Sequence, residues 1–422
     1  MEYNPNVLAT MRKLIEKYNR LLTQREKIYY RDIFKKFTLD GRIIGIVGPR
    51  GIGKTTFILN LAKRKYENSE KALYVSADDP YFLRNTLIDC AENFVNDYDG
   101  KLLLIDEIHR YKNWDQELKN IYDFFPKLKV VFSGSSSINL VRGKYDLSRR
   151  AIIYHLNGFS FREFLEYKYG IHLKSYALEK LIKNRAAISK ELLKVPRISW
   201  YFKEYLKIGY YPFETEFKKA ENFYQALGNI IDKAIYEDIA SLYNLKTSNL
   251  IVFKKLLYFL ATTEPGEVNV NKLAKSLGKD NKTILEYLII LRETGFIKFL
   301  LNNKSGHSLV RSLEKIYLDN TVLLSAINFH LGKTVKIGQV REIFICNQLE
   351  NISRKVFYAK GGDITAGKYT FEIGGKNPVK TSNGAGKSDK QIKNIKNSYL
   401  VLDDIIIADK KKIPLYLFGF LY

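Results

Sequence analysis

The spacing of apolar residues changes along this chain and divides it into segments. Residues 1–40 carry apolar positions at helical intervals from Leu8 to Leu22, with basic residues on the polar face. A second, short amphipathic stretch follows from Ile28 to Phe37. Between 41 and 158 short apolar runs alternate with helical segments: Ile43–Val47, Ala72–Ser76, Leu102–Ile105, Val130–Phe132 and Ile152–Leu156. Such alternation predicts an α/β fold with a parallel sheet and helices on both faces, with ligands at the carboxyl ends of the strands.

From 159 to 247 the pattern is helical, over Phe161–Tyr169, Leu178–Leu193, Trp200–Leu206 and Glu221–Tyr243, interrupted by the turn from Gly209 to Phe213. We expect a helical lid beside the sheet. Residues 248–335 read as three helices and a hairpin: Ile251–Ala261, a stretch from Val268 to Gly278, Lys279–Glu293, and strands from Gly295 to Leu300 and Lys315 to Leu318. These are the parts of a winged helix-turn-helix. Residues 336–422 predict a small α/β domain, with a helix over Gly338–Ile352 and strands at Val356–Ala359, Lys368–Ile373 and Leu400–Leu402. It closes on an apolar run from Ile413 to Tyr422, and the Gly/Lys/Ser-rich stretch Gly374–Lys390 within it reads as a loop.

The chemistry is concentrated after the first strand. The run Gly48, Pro49, Arg50, Gly51, Ile52, Gly53, Lys54, Thr55, Thr56 leads from an apolar strand into a helical pattern, which is the context of a phosphate-binding P-loop. Its glycines let backbone N–H groups converge on phosphate oxygens, and the helix adds its positive dipole end. Lys54 would reach the β- and γ-phosphates, and the Thr55 hydroxyl would ligate Mg²⁺. ATP and Mg²⁺ are therefore the expected cofactors.

The strand Leu102–Ile105 ends in Asp106 and Glu107. Alone, two acids after a strand could cap a helix. Paired with a P-loop, Asp106 would hold Mg²⁺ through water, and Glu107 would act as general base on the attacking water. Glu107 favours hydrolysis over mere binding. At the next strand end, Ser135, with Ser133 as second choice, offers a hydroxyl where a γ-phosphate sensor would sit; serines here could equally cap the helix expected over Ile138–Arg142.

Composition adds a partner class. Lys and Arg number 69 against 45 Asp and Glu, a net charge of +24, which invites a polyanion such as DNA. The excess is spread out, with 13 basic and 6 acidic residues over 351–422 and 11 and 5 over 1–50, so it is not one binding block. The two cysteines, Cys90 and Cys346, have no metal-ligand spacing and suit a reducing, cytoplasmic setting. No leader pattern opens the chain and no apolar run is long enough to span a membrane.

The P-loop, the Ile-Asp-Glu-Ile-His strand end (105–109) and the Ser-Gly-Ser-Ser turn (133–136) resemble the AAA+ superfamily. Within it the chain looks like predicted prokaryotic ATPases that join an AAA+ core to a winged helix and a restriction-endonuclease-like C-terminal domain. The segments 146–154, 158–164, 209–213 and 342–344 match stretches typical of that group. The resemblance implies ATP hydrolysis, and homo-oligomers in which one subunit completes the site of the next. Arg149 holds the position of the arginine that does so, with Arg150 as fallback; both could instead merely flank a sheet edge.

For DNA contact, Lys279, Lys282 and Lys298 would lie near the recognition helix and wing, unless that module only docks against the lid. A restriction-type nuclease needs an Asp, then Glu-x-Lys across a strand. Asp363 and Glu372 fit, but Gly374 stands where the lysine belongs and Lys376 falls two residues late. His109 and His155 lack ligand spacing and read as structural. The leading reading is an Mg²⁺-dependent AAA+ ATPase that switches or remodels a partner. An ATP-bound winged-helix regulator with little turnover and an ATP-gated nuclease are the alternatives.

Overall fold

The computed structural model describes residues 5–24, 28–66, 70–135, 147, 149–263, 269–302, 313–359, 362–375 and 396–422. The chain divides into two compact units, Met1–Asn157 and Gly158–Tyr422. The expected helix over Ile138–Arg142, most of the expected loop Gly374–Lys390, and Lys376 lie outside the described residues.

The first unit is built on a five-stranded parallel sheet of β1 (Ile43–Val47), β2 (Ala72–Ser76), β3 (Leu102–Asp106), β4 (Lys129–Gly134) and β5 (Ala151–His155), in the order β2-β3-β4-β1-β5. Strands β1 and β3 are buried along their whole length, which is why they read as unbroken apolar runs. Close packing there requires Gly45: a Cβ at that position would lie 2.4 Å from Ile153 Cδ1 and 2.6 Å from the Phe132 ring. The helices of this unit are α1 (Pro5–Thr23), α2 (Lys54–Tyr66), α3 (Leu87–Tyr98) and α4 (Trp114–Phe124). Helix α1 buries Met11, Leu14 and Tyr18, an i, i+3, i+7 stripe, against β2 and α3. Helix α3 begins at a reciprocal capping box between Thr86 and Asp89, which satisfies backbone N–H groups that the helix itself leaves without partners.

The amphipathic stretch Ile28–Phe37 forms only one 3₁₀ turn, Asp32–Lys35. Its apolar residues are placed by aromatic packing: Phe34 stacks on Phe57 of α2 with centroids 4.2 Å apart, and Phe37 meets both Phe57 and Tyr154. The buried Arg31 guanidinium donates to the carbonyls of Ile52 (3.4 Å) and Asn157 (2.7 Å), tying this segment to the P-loop.

The second unit begins with helices α5 (Phe161–Tyr169), α6 (Leu178–Lys183), α7 (Arg185–Leu192), α8 (Ile198–Ile208) and α9 (Ala220–Lys233). The last runs through a π-helical segment, Ala234–Ile239, into α10 (Ala240–Tyr243). Then come α11 (Thr247–Thr262), α12 (Val270–Leu277) and α13 (Asn281–Glu293), with Asn269 capping α12, Gly278 closing it at φ +63°, and Asp280 capping α13. Helix α14 (Thr321–His330) is absent from the sequence reading because it is apolar on nearly every side; it is buried against α8, α9 and α11. Helix α15 (Ile337–Asn351) completes the set.

The hairpin β6 (Ile297–Asn302) and β7 (Leu313–Leu318) is antiparallel, as expected. It is not a free-standing wing. Strand β6 pairs in parallel with β8 (Val356–Tyr358), and the sheet continues through β9 (Ile364–Ala366), β10 (Tyr369–Gly374), β11 (Ser398–Leu402) and β12 (Lys412–Pro414) in the order β12-β11-β10-β9-β8-β6-β7. The sequence boundary at 335/336 thus falls inside one seven-stranded sheet. The apolar run at the end forms β12 and a buried 3₁₀ turn, Leu415–Phe420, whose Phe420 joins Phe161, Phe202, Tyr205 and Phe344 in an aromatic core.

Helix α15 faces the hairpin through charged pairs. Glu342 meets Lys315 at 2.8 Å, and Glu350 meets Lys298 at 2.7 Å, with Asp319 3.2 Å from the same ammonium. Burial opposes the charge of Lys298, but Asp319 and Glu350 outweigh it and hold its pKa well above the ordinary value. Both cysteines are buried; burial pushes the Cys90 thiol up to about 12, leaving no thiolate to react or ligate at neutral pH. Among the described residues no helix is long and apolar enough to cross a membrane.

Candidate functional site

The carboxyl ends of β1, β3 and β4 converge because those strands are adjacent and parallel. The loop after β1 reaches α2 through Gly51 (φ +80°) and Gly53 (φ +89°), backbone angles that an L side chain resists. At Gly48 a Cβ would lie 2.3 Å from the Leu156 carbonyl oxygen. The loop is thus shaped for bare backbone, which the approach of phosphate oxygens also needs. Lys54 opens α2, is 5% exposed, and donates from Nζ to the carbonyls of Gly48 and Pro49, both at 3.0 Å. The ammonium is held across the mouth of the loop, where a phosphate would exchange for two carbonyls.

Asp106, the last residue of β3, is buried and surrounded by hydroxyls. Its Oδ2 accepts from Thr55 Oγ1 (2.6 Å) and from Tyr74 OH (2.8 Å), and its Oδ1 accepts from Ser133 Oγ. Thr55 and Asp106, named from sequence as the metal-binding pair, are therefore in direct contact. A carboxylate and a hydroxyl brought together beside a phosphate-binding loop are the hard oxygen donors that suit Mg²⁺.

Glu107 leaves β3 in the left-handed region, φ 51° and ψ 42°, which costs a non-glycine residue free energy and turns its side chain out of the strand direction. Its N–H donates to Ser133 Oγ at 3.0 Å. The carboxylate Oε2 lies 4.0 Å from Nη2 of Arg50 and 3.4 Å from Nε2 of His109. Ser133 thus braces both acids. Ser135 follows β4 directly and is buried.

Arg149 and Arg150 lie apart from this cluster. They precede β5, whose Ala151 pairs with Ile43 at the start of β1, so they stand at the opposite end of the sheet from the P-loop. Arg150 is engaged, 3.7 Å from Asp123 and 5.5 Å above the Tyr122 ring, whereas Arg149 is exposed. Lys298 departs from its expected role at a wing: it is half-buried and held in the pairs described above. Lys279 donates to Asn249 at 3.1 Å, and Lys282 is exposed on the first turn of α13. Asp363 accepts from the Ile373 N–H at 2.8 Å and has Lys315 at 3.9 Å from its other oxygen.

Tyr74, His109 and Arg31 were missed as site residues. Tyr74 carried a weak signal, a hydroxyl in the middle of the strand Ala72–Ser76. His109 stands two residues after Glu107 and was read as structural. Arg31 gave no local signal, since its partners are 21 and 126 residues away.

Fold and site together define a P-loop nucleotide-binding protein of the α/β class. Residues 40–165 match a family model described as an AAA domain, in keeping with the P-loop and the five-stranded parallel sheet. Residues 199–334 match a domain of unknown function, DUF8612. An uncharacterized protein of Methanocaldococcus jannaschii is 26% identical over 441 residues, covering 98% of this chain and 90% of the relative. Among solved structures, a Walker-type ATPase of Pyrococcus abyssi has a TM-score of 0.41 at 12% identity over 72% of this chain and 97% of its own. AMPPCP-bound DnaA from Aquifex aeolicus has a TM-score of 0.24 at 18% identity, over 59% of this chain and 81% of its own.

Proposed function

We propose that the protein is an Mg²⁺-dependent ATPase of the AAA+ type that uses ATP turnover to switch or remodel a bound partner, with DNA as the partner its charge fits best. The observation that carries the hydrolytic part is Glu107, held in a strained left-handed turn beside the P-loop with its N–H anchored on Ser133.

In this reading Lys54 leaves its two carbonyls for the β- and γ-phosphate oxygens, and the N–H groups from Gly51 to Thr55 hold the rest of the triphosphate. Mg²⁺, when bound by Thr55 and Asp106, neutralises charge on the β- and γ-phosphates. Glu107 takes a proton from water as the water oxygen bonds to the γ-phosphorus and the bond to the ADP oxygen breaks, giving ADP and phosphate. Ser135 senses the γ-phosphate. Arg149, exposed at the far end of the sheet, serves a neighbouring subunit, where its guanidinium meets charge building on the γ-phosphoryl oxygens. Arg150, held by Asp123 and Tyr122, is the weaker choice.

Two features support a DNA partner. Next to the turn between α12 and α13 a cleft of about 560 Å³ is lined by Lys272, Lys275 and Lys279 against one acid, Asp280, on the module read as a winged helix. A second, of about 610 Å³, carries Arg292 and Lys355 at its rim, while its Lys298 is paired with the Asp319 and Glu350 that also line it. Phosphate contacts of this kind supply affinity without reading sequence. Steady-state ATPase activity, measured with and without duplex DNA, is the test. Stimulation severalfold by DNA is expected; turnover indifferent to DNA removes the partner, and absence of turnover removes the enzyme.

A further inference from the structure

His109 lies on the short 3₁₀ turn Ile108–Arg110 that follows Glu107, and its side chain is only 4% exposed. Its Nε2 is 3.4 Å from Glu107 Oε2. That oxygen accepts no hydrogen bond among the described residues, although it sits in a site where every oxygen of the neighbouring Asp106 is taken. On the other side stands Arg50, 4.0 Å away on the P-loop.

We propose that His109 is a positioning residue for Glu107, fixing one carboxylate oxygen so that the other faces the attacking water. This rests on the hydrolytic reading given above. A general base must offer one oxygen to the water within hydrogen-bond reach, and a glutamate has three side-chain torsions with which to lose that aim. The backbone of Glu107 is fixed by its left-handed turn and by Ser133, but neither fixes the carboxylate. A ring that is buried in the same turn can do so. With a proton on Nε2, His109 donates to Oε2 after a shift of a few tenths of an ångström, and Oε1 is left for the water. Arg50 is placed for a different task. It belongs to the P-loop, whereas His109 sits on the turn that directly follows Glu107.

The test compares His109→Gln with His109→Leu. Both fill the space of the ring, but only the amide can donate to Oε2. Single-turnover hydrolysis, affinity for a fluorescent ATP analogue and melting temperature are measured for both and for the wild type. We expect His109→Leu to hydrolyse ATP at least tenfold more slowly with nucleotide affinity within about twofold of wild type, and His109→Gln to recover most of the rate. If His109→Leu does not fold, His109→Met takes its place. Equal rates in the two variants, or a loss of affinity with no loss of single-turnover rate, overturn the assignment while leaving the ATPase reading intact. A wild-type protein that binds the analogue and never hydrolyses ATP overturns both.

Discussion

Thr55 and Asp106 stand 51 residues apart in the chain, yet the hydroxyl of one donates to the carboxylate of the other across 2.6 Å. The contact joins the first turn of α2 to the end of β3 and brings two oxygen donors to one point. Replacing Asp106 by Asn should raise the Mg²⁺ concentration needed for half-maximal hydrolysis about tenfold or more, while ATP binding in EDTA persists. Tyr74→Phe, which removes a donor to the same carboxylate oxygen, should shift it in a milder way. A magnesium titration of ATPase rate reads both. An Asp106→Asn protein with an unchanged magnesium requirement would count against this site.

Lys54 and Glu107 should separate binding from chemistry. Lys54→Ala removes an ammonium that meets ground-state charge, so nucleotide affinity should fall. Glu107→Gln keeps the shape of the side chain and loses only the base, so affinity should hold while hydrolysis slows by about 10²-fold or more. Binding and single-turnover rates of the two proteins settle the division; equal loss of binding in both would refute it.

The two arginines before β5 should behave differently from each other. Arg149→Ala should abolish any rise of turnover with protein concentration, and mixing it with Glu107→Gln protein should restore activity in part, because hybrid interfaces regain one intact site. Arg150→Ala should chiefly cost stability, on the order of 1 kcal/mol or less for a partly exposed pair and ring contact. Turnover by a strict monomer that neither substitution alters would end the trans role.

Lysines of the second unit should split in the same manner. Lys298→Ala leaves the buried Asp319 and the partly exposed Glu350 without their shared cation, so stability should drop by about 2 kcal/mol. Lys282→Ala, on an exposed turn, should leave melting unchanged and flatten the salt dependence of DNA binding. Calorimetry and a salt titration of binding measure the two effects; a flat salt response in the wild type would exclude a phosphate-led mode.

The nucleotide unit was legible because its signals are local. Strands β1 and β2 were placed residue for residue, since buried parallel strands are short apolar runs with polar ends, and the P-loop carries its own backbone requirements. Asp106 and Glu107 followed from their place after β3. What escaped depended on distant partners. Tyr74 reaches Asp106 from the neighbouring strand, and Arg31 binds carbonyls far along the chain. In the second unit β9 is only three residues long, and α14 has no polar face to betray its period. The pairing of β6 with β8 left no trace because register between distant strands is decided by the packed sheet, and no local pattern encodes it.

The second unit also ties its own beginning to residue 422. Ser160 caps α5 and donates its hydroxyl to the Tyr422 carbonyl at 2.9 Å, and Arg162 Nε donates to the same oxygen at 3.0 Å. During synthesis, therefore, the order of completion is fixed. The five strands of the nucleotide sheet are all made by residue 155 and can assemble while the ribosome is still working. The second unit must keep Phe161 and its neighbours waiting for Phe420, some 260 residues of translation later. At about 5–20 residues per second this leaves the helical segments without their core for many seconds. A nascent chain stalled before residue 415 should carry a finished ATP-binding domain trailed by a segment that chaperones hold and proteases cut.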